Sequence, residues 1–344
     1  MLKSPKGIVM YFLIFFLVLL LALATYLVLG GPKLPSDTDA IIENVLKSEL
    51  PQVIRGEAGF VTSDGLQIWY ECIAPAGEPQ GVVLLNTGMA GDAIAWPPMF
   101  VRAFVDAGYR VIRYDFRGTG MSDWVEHWNS KHPYSLADMA KDAVAVLDAL
   151  NVDQAHLVGL SLGGMVAQEI AVHNPERVSS LTLMSTSGYA GDPQFPILSS
   201  RHFFMSIAQG LPILKYRLMG GEKNLIKERI AKMVMAGIEV DIQETAEVVL
   251  YELRKRKGFN IKALLQHRAA SDVSGSRYES LRMLEVPTLV IHGTDDKVFP
   301  IDHGKRVAEL IPGAEALWLE GVGHVFPYPN MGSIHARILS HLAK

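Results

Sequence analysis

Short apolar runs alternate with amphipathic stretches through most of this chain, and that alternation constrains its fold more than any other feature. Residues 82–85, 110–114, 155–158, 179–184, 287–291 and 316–319 read as strands. Between and after them, residues 98–107, 136–150, 162–173, 304–310 and 334–342 carry helical spacing. Gly108 closes the first of these helices, and Ser135-Leu136-Ala137-Asp138 opens the second in the manner of a capping box. Strands linked by helical crossovers predict a mostly parallel sheet with helices on both faces. Residues 60–63 and 66–70, joined by Asp64-Gly65, predict a hairpin that adds an antiparallel edge.

With 344 residues, 49% of them hydrophobic, the chain can bury a large core. That composition excludes collagen-like, coiled-coil and disordered classes. A formal net charge of -4 argues against a nucleic-acid partner held by bulk positive charge. Cys72, the single cysteine, excludes an intrachain disulfide and a multi-thiolate metal site.

Residues 8–29 run without a charge, which as a helix spans about 33 Å and matches a hydrocarbon core. The reading is one transmembrane helix. Lys3 and Lys6 precede it, and the acidic Asp37, Asp39 and Glu43 follow Lys33, so the N-terminus is expected in the cytoplasm and the rest across the membrane. The alternative is export after signal cleavage, although Ala22-Leu23-Ala24 lies inside the apolar run. Residues 1–34 are thus expected as anchor and linker, with 35–188 and 285–344 as the two parts of the sheet domain. Residues 189–284 interrupt the pattern with helical stretches at 203–218, 224–236 and 245–257, and are expected to form a helical cap. The basic run Arg254-Lys255-Arg256-Lys257 reads as a solvated helix end, or alternatively as a face turned to anionic lipid.

The chemistry centres on Gly159-Leu160-Ser161-Leu162-Gly163, placed between a strand and a helix. A strained turn there presents Ser161 as a nucleophile and leaves no room for a Cβ at either glycine. A serine hydroxyl needs a base, and the base needs an acid to hold its tautomer. His324, after the last strand, is the expected base, whereas His292, His303, His335 and His341 read as structural or surface residues. Asp296 is the expected acid, with Asp295 second. The backbone amides of Leu162 and Met89 are the expected donors to an oxyanion.

Asn86-Thr87-Gly88-Met89, the run from Asp115 to Ser122, the serine motif, the segment from Gly293 to Pro300 and Gly323-His324 together resemble the α/β-hydrolase superfamily. His132-Pro133-Tyr134 and the Asp142 to Asp148 segment are similar to the aclacinomycin methylesterase group within it. The resemblance implies an ester hydrolase with a cap, working without a cofactor, with Asp115 and Arg117 bracing loops near the oxyanion site. Two departures stand out: Thr87 occupies a position where the superfamily usually has His, and the anchor is not usual in that esterase group. The expected substrate is a small ester with an apolar acyl group; Phe203, Phe204, Met205, Met219, Met233 and Met235 read as a pocket for that group or, equally, as ordinary core packing. A thioesterase, a peptidase, a carbon–carbon bond hydrolase and a non-catalytic binding protein are the alternatives.

Overall fold

The computed structural model describes residues 5–195, 208–235, 237, 239–326 and 328–344. Strands β1 (Glu57–Ser63), β2 (Leu66–Ile73), β3 (Val82–Asn86), β4 (Arg110–Tyr114), β5 (Ala155–Leu160), β6 (Val178–Met184), β7 (Thr288–Gly293) and β8 (Glu315–Leu319) form one sheet. Their order is β1-β2-β4-β3-β5-β6-β7-β8. The pairs β1–β2 and β2–β4 are antiparallel, and every other pair is parallel. In the hairpin, Ser63 faces Leu66 across a two-residue loop whose Asp64 and Gly65 both have positive φ, 47° and 78°. That is the turn whose twist suits paired strands.

Strand residues alternate between two cores because successive side chains point to opposite faces. Leu84, Ile112 and Leu157 pack with Leu136, Met139, Val166 and Ile170 from helices Leu136–Ala149 and Leu162–His173. Val83, Leu85, Val111 and Val158 pack on the other face with Phe100 and Phe104 of helix Pro98–Asp106 and Ile334 and Ile338 of helix Tyr328–Leu342. Ser135 accepts from the Asp138 amide while the Asp138 carboxylate accepts from the Ser135 amide, closing the expected capping box. The mostly parallel, helix-covered sheet is the predicted fold class.

By contact the chain divides into two compact units, residues 52–198 with 252–344, and residues 1–51 with 199–251. The first holds the sheet. It also takes in helix Ile261–Ser274 and helix Tyr278–Leu281, which lie inside the interval expected to be cap. Ala270, Leu281 and Leu284 join the sheet's core, which accounts for that division. Helix Ile261–Ser274 has no apolar stripe to betray it: its buried residues include Ala263, Gln266, His267 and Ser271, while Ile261 and Leu265 are exposed.

In the second unit, Ile42 and Val45 of helix Thr38–Lys47 share a core with Ile226, Ile230, Ala246 and Leu250. Lys223 and Lys227 reach Asp39 at 2.8 and 2.6 Å. Residues Val9–Leu29 form a helix long and apolar enough to cross a membrane, with apolar side chains exposed along it. The Tyr26 hydroxyl donates to the Ala208 carbonyl at 2.9 Å. Lys215 Nζ donates to the carbonyls of Val28 and Gly30 at 2.9 and 3.0 Å, satisfying acceptors that a helix end leaves open. Of the residues expected to meet an acyl group, Phe203, Phe204 and Met205 lie outside the described residues. Met219 and Met235 are exposed and Met233 is half-buried.

Candidate active site

Ser161 is held in a backbone conformation that few residues adopt, φ 56° and ψ -118°, between β5 and helix Leu162–His173. Such a conformation costs on the order of 1–3 kcal/mol and persists only where neighbours enforce it. Here they do. The Ser161 amide donates to the Met184 carbonyl at 2.8 Å, and the Ser161 carbonyl accepts from Thr186 Oγ1 at 2.6 Å. A Cβ at Gly163 would collide with the carbonyls of Asn86 and Thr87, and one at Gly159 with the carbonyl of Gly163. The turn is therefore possible only with hydrogen at both positions.

His324 follows β8 and lies between two of the expected residues. Its Nε2 is 3.0 Å from Ser161 Oγ and its Nδ1 is 2.7 Å from Asp296 Oδ2. The tautomer that fits donates Nδ1–H to the carboxylate and leaves Nε2 to accept the serine proton. Asp296 follows β7 and is buried, whereas Asp295 is exposed. The other Asp296 oxygen accepts from the amides of Val298 and Phe299 at 2.8 and 2.9 Å. Burial opposes ionisation of Asp296, but hydrogen bonds from His292 and His324 outweigh it and hold the carboxyl well below the usual carboxylate range.

The two expected amide donors belong to segments adjoining Ser161. Leu162 is the first helical residue, so its N–H has no intrahelical acceptor. The loop after β3 runs past the serine: a Cβ built on Gly88 would sit 3.8 Å from Ser161 Cβ. Met89 follows in that loop.

Beneath the loop lies a buried polar framework. Asp115 accepts from the amides of Ala93 and Met121 at 2.8 and 2.7 Å and from Arg256. Burial pushes its carboxyl up to about 7, against Arg256 and the two amides. Arg256 also donates to Asp92 at 2.9 Å and stacks over Trp69, 4.5 Å from the ring centre. Arg256 is thus not part of a solvated helix end. Its side chain is buried against two carboxylates, while Arg254, Lys255 and Lys257 remain exposed. Arg117 forms a two-pronged pair with Asp142 at 2.6 and 2.7 Å.

His267 is the residue that sequence reasoning missed. It is wholly buried, accepts from the Ala90 amide through Nδ1 at 3.0 Å and donates from Nε2 to the Arg117 carbonyl at 3.0 Å. Burial holds its pKa down to about 4, so the ring is neutral at pH 7. Of the four histidines read as structural, His303 lies between Ser187 and the Phe195 carbonyl, and His335 packs on Phe100 and Phe104. His341 is buried in the final helix. His292 lies closer to Asp296 than expected, with Nε2 donating to the Phe299 carbonyl at 2.8 Å and lying 3.3 Å from Asp296 Oδ2. Among the described residues no three His, Cys, Asp or Glu side chains gather as a metal site would require.

Residues 81–330 match the alpha/beta hydrolase fold family. The chain is 31% identical over 295 residues to rhodomycin D methylesterase DauP of Streptomyces sp. (strain C5), covering 82% of this chain and 96% of that protein. It is 28% identical to a 2-hydroxy-6-oxononadienedioate/2-hydroxy-6-oxononatrienedioate hydrolase of Pseudomonas sp, covering 78% of this chain and 90% of that one. Among solved structures, a hydrolase from Pseudomonas aeruginosa PA01 superposes with a TM-score of 0.62 at 26% identity, over 84% of this chain and 99% of its own. These matches agree with the superfamily and the methylesterase group that the motifs resemble.

Proposed function

We propose that this chain, which belongs to the alpha/beta hydrolase fold family, hydrolyses carboxylic esters through a serine-bound acyl intermediate. One observation carries the proposal: the hydrogen-bonded series Ser161–His324–Asp296, assembled from three separate strand ends. In the proposed cycle Ser161 Oγ attacks the ester carbonyl carbon while His324 Nε2 takes its proton. Asp296 holds the imidazole and balances the imidazolium. The tetrahedral oxyanion accepts from the Leu162 and Met89 amides. Collapse breaks the carbon–oxygen bond, and His324 returns the proton to the leaving alkoxide. A water, deprotonated by His324, then attacks the acyl carbon; collapse breaks the bond from that carbon to Ser161 Oγ, His324 returns the proton to Oγ, and the acid leaves.

The similarity to a methylesterase supports an ester over other bonds, and the apolar acyl group belongs to the same proposal. A carbon–carbon bond hydrolase is the second reading, favoured by the similarity to the oxononadienedioate hydrolase. Hydrolysis of a p-nitrophenyl ester series from acetate to palmitate by the full chain separates the two. Turnover that varies with acyl length supports the ester reading. No ester turnover, with cleavage of a vinylogous 1,5-diketone, replaces it with the second.

Retention of the N-terminal helix as a membrane anchor, with the N-terminus cytoplasmic, is also proposed. The bonds from Tyr26 to Ala208 and from Lys215 to Val28 and Gly30 support it, because a stub cut after Ala24 would be too short to keep a helix end there. The protein should stay in the pellet on alkaline carbonate extraction with its first residues intact. Recovery of a soluble form starting near Thr25 would contradict the anchor.

A further inference from the structure

We infer that His267 is a positioning residue that locks the loop carrying the Met89 amide into its oxyanion-facing form. The inference rests on the serine-hydrolase reading and deepens it. Residues Gly88 to Gly91 form a β-turn closed by the Gly91 amide donating to the Gly88 carbonyl at 3.1 Å. Ala90, its third residue, has φ 56°, while Met89 is not among the residues with positive φ. That combination defines a type II turn, whose third position ordinarily demands glycine. An alanine there favours rotation of the Met89–Ala90 peptide, which would relax the turn to type I.

The N–H of that peptide, Ala90's, is the one His267 receives; the Met89 N–H belongs to the preceding peptide, so His267 acts on it indirectly, by holding the turn that continues from it. Rotation would remove the donor from Nδ1 and bring the Met89 carbonyl toward the same lone pair. Both results are unfavourable inside a buried pocket, where an unpaired ring nitrogen has no water to turn to. The ring cannot readily turn to suit a rotated peptide. Its Nε2–H is committed to the Arg117 carbonyl, and it meets Phe116 and Tyr134 edge to face at 5.7 and 6.4 Å. Arg117 is itself fixed by its side-chain bonds to Asp142 and to the Asp138 carbonyl. The chain of contacts therefore runs from helix Leu136–Ala149 through Arg117 and His267 to the turn beside Ser161. Glycine at position 90 would have made the turn without help. This chain has alanine and a histidine behind it.

Two substitutions divide the two ring nitrogens. His267→Asn keeps an acceptor near the Nδ1 position, and His267→Gln keeps a donor near Nε2 but offers nothing to Ala90. With p-nitrophenyl butyrate, kcat of the Gln variant should fall about 10–100-fold with KM changed less than about threefold, the scale on which misplaced oxyanion donors act. The rate at which a phosphonate labels Ser161 should fall in parallel. The Asn variant should retain most of both rates. Adding Ala90→Gly to the Gln variant should restore part of kcat, because glycine holds the turn unaided. Thermal melting of each variant accompanies these measurements. Equal kcat per labelled site in wild type and the Gln variant, whatever their melting temperatures, would overturn the inference. Absence of phosphonate labelling at Ser161 in the wild type would instead overturn the serine-hydrolase reading on which it rests.

Discussion

His324 Nε2 lies 3.0 Å from Ser161 Oγ although the two residues are 163 apart in the chain. The link between them is made by the sheet. Parallel strands β5, β7 and β8 end on the same side, so the residues that follow each strand emerge together.

Asp296→Asn tests the role of the carboxylate separately from its packing. The amide is nearly isosteric and still accepts from Val298 and Phe299 on one side. It no longer favours the tautomer with Nδ1–H toward position 296. By analogy with other serine triads, kcat should fall by about 10⁴-fold with little loss of stability. Steady-state kinetics with a short-chain p-nitrophenyl ester checks it. A loss smaller than tenfold would assign the tautomer to another group.

Gly163→Ala should damage folding and activity together. The added methyl meets two backbone carbonyls rather than a flexible side chain, so β3's exit and the start of helix Leu162–His173 must separate. Overpacking of this kind costs about 1–3 kcal/mol. Urea denaturation should show the loss, and phosphonate labelling of the folded fraction should be slower than in the wild type.

Arg256→Gln should be the most destabilising of these substitutions outside the serine motif. It leaves the Asp115 carboxylate fully buried without its cation and Asp92 without its partner. Breaking a buried pair from one side costs about 3–5 kcal/mol. The expected result is a clear drop in denaturation midpoint, with part of it recovered by adding Asp115→Asn.

The capping box at Ser135 and Asp138 gives a pH signature. Burial raises the Asp138 pKa, but hydrogen bonds from the Ser135 amide and hydroxyl and from Lys141 prevail and bring it down to about 2. A carboxyl whose pKa is lower folded than unfolded binds more protons when unfolded. Its contribution is therefore full above about pH 4, the ordinary Asp value, and is lost as pH falls toward 2. Wild-type stability should decline relative to Asp138→Asn across that window. Ser135→Ala should cost about 1 kcal/mol at neutral pH.

The sheet was legible because strands buried on both faces appear as short apolar runs, and the helices between them as periodic ones. Residues 155–160 and 162–173 are the clearest case, with Ser161 caught between them. Asp296 and His324 could be chosen because each follows a strand at the same sheet end. Arg256 was hidden by its neighbours: three exposed cations surround it, and nothing in a basic run marks which member turns inward. His267 was hidden for a different reason. It sits in a helix whose buried face is built from alanine, glutamine and serine, so neither hydropathy nor motif distinguishes it from a surface position. Its partner is the backbone of residue 90, and a backbone partner leaves no mark on residue type.

The most direct measurement is peptide mapping of the full chain after reaction with a p-nitrophenyl alkylphosphonate, alongside ester turnover by Ser161→Ala. One adduct per chain is expected, on Ser161, with turnover in the alanine variant reduced to background while its fold is retained. An adduct on a different residue, or an alanine variant that still hydrolyses the ester at a substantial fraction of the wild-type rate, would contradict it.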